Sequence, residues 1–134
     1  MIRLIIADDD AKVRSAVKLL LGQDEACWQV IAEVRNVKEL LAEVRKRKPQ
    51  LLLLDWELPE ESIGGQRPPY YDLKDRIEHL RKLNPDMFIL VLSSEPLVKN
   101  SALKSGANAF VSKGDPPEVF METLNSICNC LPQL

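Results

Sequence analysis

The chain has a single histidine, His79, and neither of the glycine-rich signatures, GxxxxGK[ST] or GxGxxG, that cradle nucleotide phosphates. His79 falls on the polar face of an amphipathic segment, so a Ser/His/Asp relay and a histidine-rich metal site are both excluded. No apolar stretch approaches the ~20 residues of a membrane span. The sequence opens directly on a strand-like run without a signal-peptide pattern, so no export signal and no membrane partner are expected. With 18 basic and 20 acidic residues the net charge is −2, too small a field to draw the chain to nucleic acid or anionic lipid. The one basic run, Arg45-Lys46-Arg47-Lys48, ends an expected helix, where it complements the helix dipole. Cys27, Cys128 and Cys130 are odd in number and lack zinc spacing, which favours a reducing, cytoplasmic compartment. Cys128 and Cys130 could be a redox-active pair; the plainer reading is two thiols near a helix end.

Internal repeats and low-complexity segments are absent as well, and no linker divides the chain. Its 134 residues fit one domain over 1–134, long enough for a core without disulfide or metal staples. Strand-length apolar runs alternate with helical periodicity, the pattern of repeated βα units. Ile2–Ala7 leads into a helix beginning near Asp10 or Ala11, with Val13, Ala16, Val17 and Leu20 at helical spacing and Gly22 as its stop. Trp28–Val34 reads as the second strand. Asn36 and Glu39 form a capping pair for a helix that places Val37, Leu40, Leu41 and Val44 on one face, and Pro49 ends it. Leu51–Leu54 and Met87–Leu92 are apolar at every position, as strands buried on both faces are. Leu73, Ile77 and Leu80 mark a third helix closed by Asn84-Pro85. Pro96 is expected in the first turn of a fourth, with Gly106 after its end. After the strand Ala109–Ser112, Asp115-Pro116 is expected to cap and start a fifth helix with Phe120, Leu124 and Ile127 inward. The units assemble, with right-handed crossovers, into a three-layer α/β domain around a five-stranded, doubly wound parallel sheet. One segment breaks the rhythm: an atypical long loop at about 57–70, within WELPEESIGGQRPPY, where Gly64-Gly65 and Pro68-Pro69 argue against regular structure. It starts beside Asp55, so function and simple decoration are both open readings.

Four of the apolar runs end in the residue types that phosphoryl transfer to a carboxylate needs: Asp8-Asp9-Asp10, Asp55, Ser93-Ser94 and Lys113. Strands of a parallel sheet point one way, so groups beyond their carboxyl ends meet in one crevice. A carboxylate can attack phosphorus only if the charge it meets is neutralised, and a hard cation held by oxygen ligands does that. Asp8, Asp9 and Asp55 could hold Mg²⁺, Ser93 could donate to a phosphoryl oxygen, and Lys113 could pair with another. The plain alternatives are that the acid triplet merely caps the first helix, that Asp55 forms a turn, and that Ser93 and Lys113 are solvated strand ends. Asp10 fits the cap; three successive acids ending a buried strand repel one another more than a cap requires.

The strings LIIADDDAKVR, LLLLDWELP, ILVLSSE and SGANAFVSKGD, in that order across essentially the whole chain, resemble the receiver domain of response regulators of bacterial two-component systems. The resemblance implies the flavodoxin-like strand order 2-1-3-4-5. It implies that Asp55 is the phosphoacceptor, Asp9 a direct Mg²⁺ ligand, and Asp8 the acid that reaches the metal through water. Glu57 matches the position whose backbone carbonyl binds the metal, Ser93 the hydroxyl, Lys113 the lysine, and Phe110 the aromatic whose rotamer follows the hydroxyl. A core residue of the last strand is the plain alternative for Phe110. The implied partner is a sensor histidine kinase or phosphotransfer protein, with homodimerisation on activation as a family habit and no nucleic acid bound by this chain itself. The implied chain is a phosphoacceptor rather than an enzyme, self-catalysing its phosphorylation and dephosphorylation. Many relatives join such a domain to a helix-turn-helix domain for transcription regulation; here one helix and a short tail follow Lys113.

Departures from the pattern are plain. EESIGGQRPPYYD replaces a short turn after Leu58-Pro59, the stretch from Ser93 to Lys113 is short and would trim the fourth helix, and Ser94 stands where a small Ala or Gly is usual. Glu57 puts a carboxylate beside the acceptor. Two rivals follow: a pseudo-receiver, acting as a phosphorylation-independent interaction module, and a phosphatase-like hydrolase with Asp55 as transient nucleophile. The small size and lack of a substrate-capping domain count against the second. Tyr70-Tyr71 could be a docking patch, aromatics over the core being the plainer reading.

Overall fold

The wholly apolar runs become the strands at the centre of the molecule. In the computed structural model, which describes residues 1–60 and 73–132, the strands are β1 (Ile2–Ala7), β2 (Trp28–Val34), β3 (Leu51–Asp55), β4 (Phe88–Ser93) and β5 (Ala109–Ser112). All pair in parallel in the order β2-β1-β3-β4-β5, the order the resemblance implies. The helices between them are α1 (Ala11–Leu21), α2 (Val37–Arg47), α3 (Leu73–Leu83), α4 (Lys99–Ser105) and α5 (Pro117–Cys130).

Because successive strand side chains point to opposite faces, each apolar strand feeds two cores. Ile5, Leu52, Leu54, Ile89 and Val91 pack with Val37, Leu40 and Val44 of α2, Ile77 and Leu80 of α3, and Ala102 of α4. Leu4, Ile6, Leu51, Leu53 and Leu90 pack on the other face with Val17 and Leu21 of α1 and Phe120, Leu124 and Ile127 of α5. Three layers result. Each fully buried Leu or Ile contributes about 1.5–3 kcal/mol relative to the exposed side chain, which is why the two faces need no polar residue to hold them.

Several local expectations shift. β4 starts at Phe88 rather than Met87 and takes in Ser93. Gly22 does not stop α1 with a left-handed turn; its φ is −65°, and the chain runs on into a 3-10 turn, Gly22–Asp24. Left-handed caps occur instead at Lys48, just before Pro49, and at Gly106, with φ of 47° and 118°. Asp115 does not cap α5: its Oδ2 accepts from the Ser112 N–H at 3.2 Å, and Pro116 occupies the N-cap position. Pro96 opens a 3-10 turn, Pro96–Val98, and α4 has only seven residues, the trimmed helix expected. On α1, Val17 and Leu21 are buried but Ala16 is exposed, because the face it shares with Val13 and Leu20 borders an apolar groove of about 240 Å³.

The cysteines depart most. Cys27 and Cys128 form a disulfide, which corrects the reading of Cys128 and Cys130 as two thiols near a helix end; Cys130 is a free, exposed thiol. Most of the long connection at 57–70, with Gly64-Gly65, Pro68-Pro69 and Tyr70-Tyr71, lies outside the described residues. Among the described residues, no helix is long and apolar enough to cross a membrane.

Candidate functional site

Register brings the chemistry together. Ala7 pairs with Leu54, Asp55 with Leu92, and Ser93 with Ser112, so Asp8 and Asp55 leave their strands at one level, with Ser93 one residue and Lys113 two residues further along the neighbouring strands. Backbone hydrogen bonds extend the sheet past its formal ends: Trp56 N–H donates to Leu92 C=O at 2.8 Å, and Lys113 N–H to Ser93 C=O at 2.8 Å.

The acid triplet divides its labour. Asp10 is the N-cap of α1, its Oδ1 accepting from Lys12 N–H at 2.8 Å. Asp8 is buried and takes no part in that cap; its Oδ1 accepts from Asp10 N–H at 2.9 Å, and its Oδ2 faces Lys113 Nζ at 3.0 Å. Arg14, which sequence reasoning missed, holds the turn by donating from Nη1 to the Asp8 carbonyl at 2.7 Å. Asp9 is exposed. Carboxylate oxygens of Asp8, Asp9 and Asp55 all lie within 4.8 Å of one another.

Asp55 is 2 % exposed, its Oδ1 lying 3.2 Å from Lys113 Nζ and accepting from Glu57 N–H at 3.1 Å. Its carboxyl is pushed up to about 7, first by burial, then by a hydrogen bond with the Glu57 side chain and the charge of Asp8, against the pull of Lys113. For Lys113 burial acts downward, but the charges and hydrogen bonds of Asp55 and Asp8 outweigh it and the net shift is upward. Among the described residues, the Lys113 ammonium thus serves both Asp8 and Asp55. An all-oxygen, carboxylate-rich set with unbalanced negative charge fits a hard divalent cation such as Mg²⁺.

Ser93 is fully buried. Its hydroxyl donates to Glu57 Oε1 at 2.7 Å and accepts from Glu95 N–H at 3.0 Å. The Glu57 side chain therefore reaches into the site; the sequence placed this carboxylate beside Asp55 but did not give it Ser93 as a partner. The available signal was a second carboxylate two residues past Asp55. Phe110 is half-buried and packs against the core that α2 and α3 cover, one strand away from Ser93. His79 is half-buried on α3, outside the cluster.

The chain was compared with known proteins and structures. The response regulator receiver domain family matches residues 4–125. Chemotaxis protein CheY of Thermotoga maritima is 28% identical, over 93% of this chain and 96% of its own length. The transcriptional regulatory protein UhpA of Salmonella typhimurium is 31% identical over 95% of this chain but only 59% of its own length. Other matching transcriptional regulators are likewise covered over about half their length. Among solved structures, the isolated REC domain of RcsB from Salmonella enterica serovar Typhimurium, in the presence of phosphomimetic BeF₃⁻, superposes with a TM-score of 0.81 over 98% of this chain and 91% of that one. At 22% identity, that likeness shows the fold alone.

Proposed function

The chain belongs to the response regulator receiver domain family of two-component signalling, and on that premise we propose that Asp55 accepts a phosphoryl group from a histidine kinase or phosphotransfer protein. The observation that carries this reading is the Lys113 ammonium lying 3.0 Å from Asp8 and 3.2 Å from Asp55, with the Ser93 hydroxyl at the neighbouring strand end.

An Asp55 carboxylate oxygen attacks phosphorus, and the bond from phosphorus to the donor's leaving atom breaks as the acyl phosphate forms. Asp8, Asp9 and Asp55, with the Glu57 backbone carbonyl, would hold Mg²⁺. When bound, it supplies the positive charge that lets one anion approach another. Lys113 pairs with a phosphoryl oxygen, and Ser93 donates to another after leaving Glu57. Phe110, on the strand beside Ser93, is then the side chain that carries the change toward the surface of α4 and β5.

Transcriptional output is an extension of this proposal. It draws on the names of relatives such as UhpA, of which this chain spans only part. No observation favours the phosphorylation-independent reading. Incubation with acetyl phosphate and Mg²⁺ tests the proposal: the wild type gains one phosphoryl mass and Asp55→Asn gains none. An unlabelled wild type, or equal labelling of the variant, refutes it.

A further inference from the structure

At the sheet edge opposite this site, a second piece of chemistry links residues that lie 101 apart in sequence. Cys27 immediately precedes β2, and Cys128 lies in the last turn of α5; their disulfide closes the space between them, with Cα atoms 6.4 Å apart. We propose that the Cys27–Cys128 bond is a thiol–disulfide exchange site for a dithiol reductant, and that opening it frees the C-terminal end of α5 while the domain stays folded.

The two sulfurs differ in access. Cys27 is 3% exposed among Trp28, Leu124 and Ile127, and its carbonyl accepts from Ile2 N–H as β1 begins. Cys128 is the more exposed residue of the pair, half-buried, and in this proposal the incoming sulfur attacks its Sγ. Asp24 offers a carboxylate oxygen within 4.8 Å of both sulfurs. Beyond Ile127 the helix turns more of its surface to solvent: Asn129 and Cys130 are exposed and Leu131 is half-buried, with Gln50 Nε2 donating to Pro132 C=O at 2.7 Å. Both cores are filled by side chains of the strands and helices, and a chain of this length needs no covalent staple. The domain therefore stays folded without the bond, and the local effect of opening it falls on the last turn.

The exchange balances as follows. A thiolate of the reductant attacks Cys128 Sγ; the Cys27–Cys128 bond breaks, and Cys27 leaves with the electron pair and takes up a proton. The reductant's second sulfur then attacks its own sulfur in the mixed disulfide. Cys128 leaves and is protonated, and the reductant departs as its disulfide. Two electrons and two protons pass to the protein. In a reducing compartment, protein disulfides are usually of this reversible kind.

The test uses the full chain and needs no phosphorylation, so its outcome is separable from that of the proposed function. The chain is held in native buffer with reduced or oxidised dithiothreitol, then unfolded, alkylated and weighed. Without reductant, one adduct at Cys130 and a peptide pair joining Cys27 to Cys128 are expected. With reductant, three adducts are expected, with the circular dichroism of the fold retained; re-oxidation should return one. Amide exchange at 126–130 should rise at least about tenfold on reduction, with the sheet unchanged. Cys128→Ser should show the fast exchange with or without reductant. Three adducts before reduction, a Cys128–Cys130 linkage, reduction only after unfolding, or unaltered exchange at 126–130 would each overturn the proposal.

Discussion

The Ser93 hydroxyl is engaged on both sides, donating to the Glu57 carboxylate at 2.7 Å and accepting from the Glu95 N–H at 3.0 Å. In the proposed reaction that hydroxyl turns to a phosphoryl oxygen only after Glu57 releases it. The Glu57 carboxylate also adds negative charge where an anionic donor approaches Asp55. A hydrogen bond to a charged group is worth roughly 1.5–3 kcal/mol, so removing this restraint should matter at the tenfold scale. Glu57→Ala is expected to speed labelling by acetyl phosphate about tenfold, and Glu57→Gln, which keeps an acceptor but loses the charge, by less. A rate equal to wild type in both variants would show that the contact restrains nothing.

Asp55 itself links stability to pH. Asp55 ionises near 3.8 in an unfolded chain and near 7 in the fold. The native state therefore keeps a proton that the unfolded state loses. The stability from this group is fully present below pH 3.8 and is lost as pH rises through about 7. In EDTA, the melting temperature of wild type should fall from pH 5 to pH 8 by roughly a few degrees more than that of Asp55→Asn. Added Mg²⁺ should reverse the loss at pH 8 in wild type alone. Parallel curves for the two proteins would contradict the assignment.

The sheet was legible because the runs Leu51–Leu54 and Met87–Leu92 are apolar without alternation, a pattern that burial on both faces explains. Legible too were the residues at the strand ends, since parallel register aligns Ala7, Leu54 and Val91 and so sets Asp8 beside Asp55, with Ser93 one residue further along. The direction of a side chain was not. Whether Glu57 points at Ser93 or away depends on rotamer and neighbours, and Ala16 is as apolar as Val17 yet stands in the open while Val17 is buried. The disulfide was out of reach for another reason. Cys128 has Cys130 two residues away, and only the folded path of α5 across the sheet reveals that its partner precedes β2.

Closing a loop of 101 residues restricts the unfolded chain, a stabilisation of about 2–4 kcal/mol for typical disulfides. The oxidised protein should melt at least about 5 °C above the reduced one. Cys128→Ser should match the reduced wild type and ignore reductant. Identical melting of oxidised and reduced wild type would mean that the bond does not restrict the unfolded chain as this account requires.

Lys113 gives a prediction with opposite signs for two measurements. Its ammonium bridges two buried carboxylates, so it competes for the oxygens that would hold a cation, yet it also pairs with the phosphoryl group in the proposed reaction. At 26% side-chain exposure its pairing is partly screened, which limits the effect to a modest factor. Lys113→Ala should therefore bind Mg²⁺ roughly three- to tenfold more tightly, read from the half-buried Trp56 beside Asp55, because a competing charge is gone. The same variant should reach a lower level of phosphorylation, by about tenfold or more, because nothing replaces the ammonium opposite the transferred oxygens. Lys113→Arg should not rescue it, since a planar fork cannot stand in for a point charge set between two carboxylates. A merely structural lysine would lower both readings together. Tighter metal binding alongside weaker labelling is the combination that identifies an ammonium acting on the same oxygens as the cation.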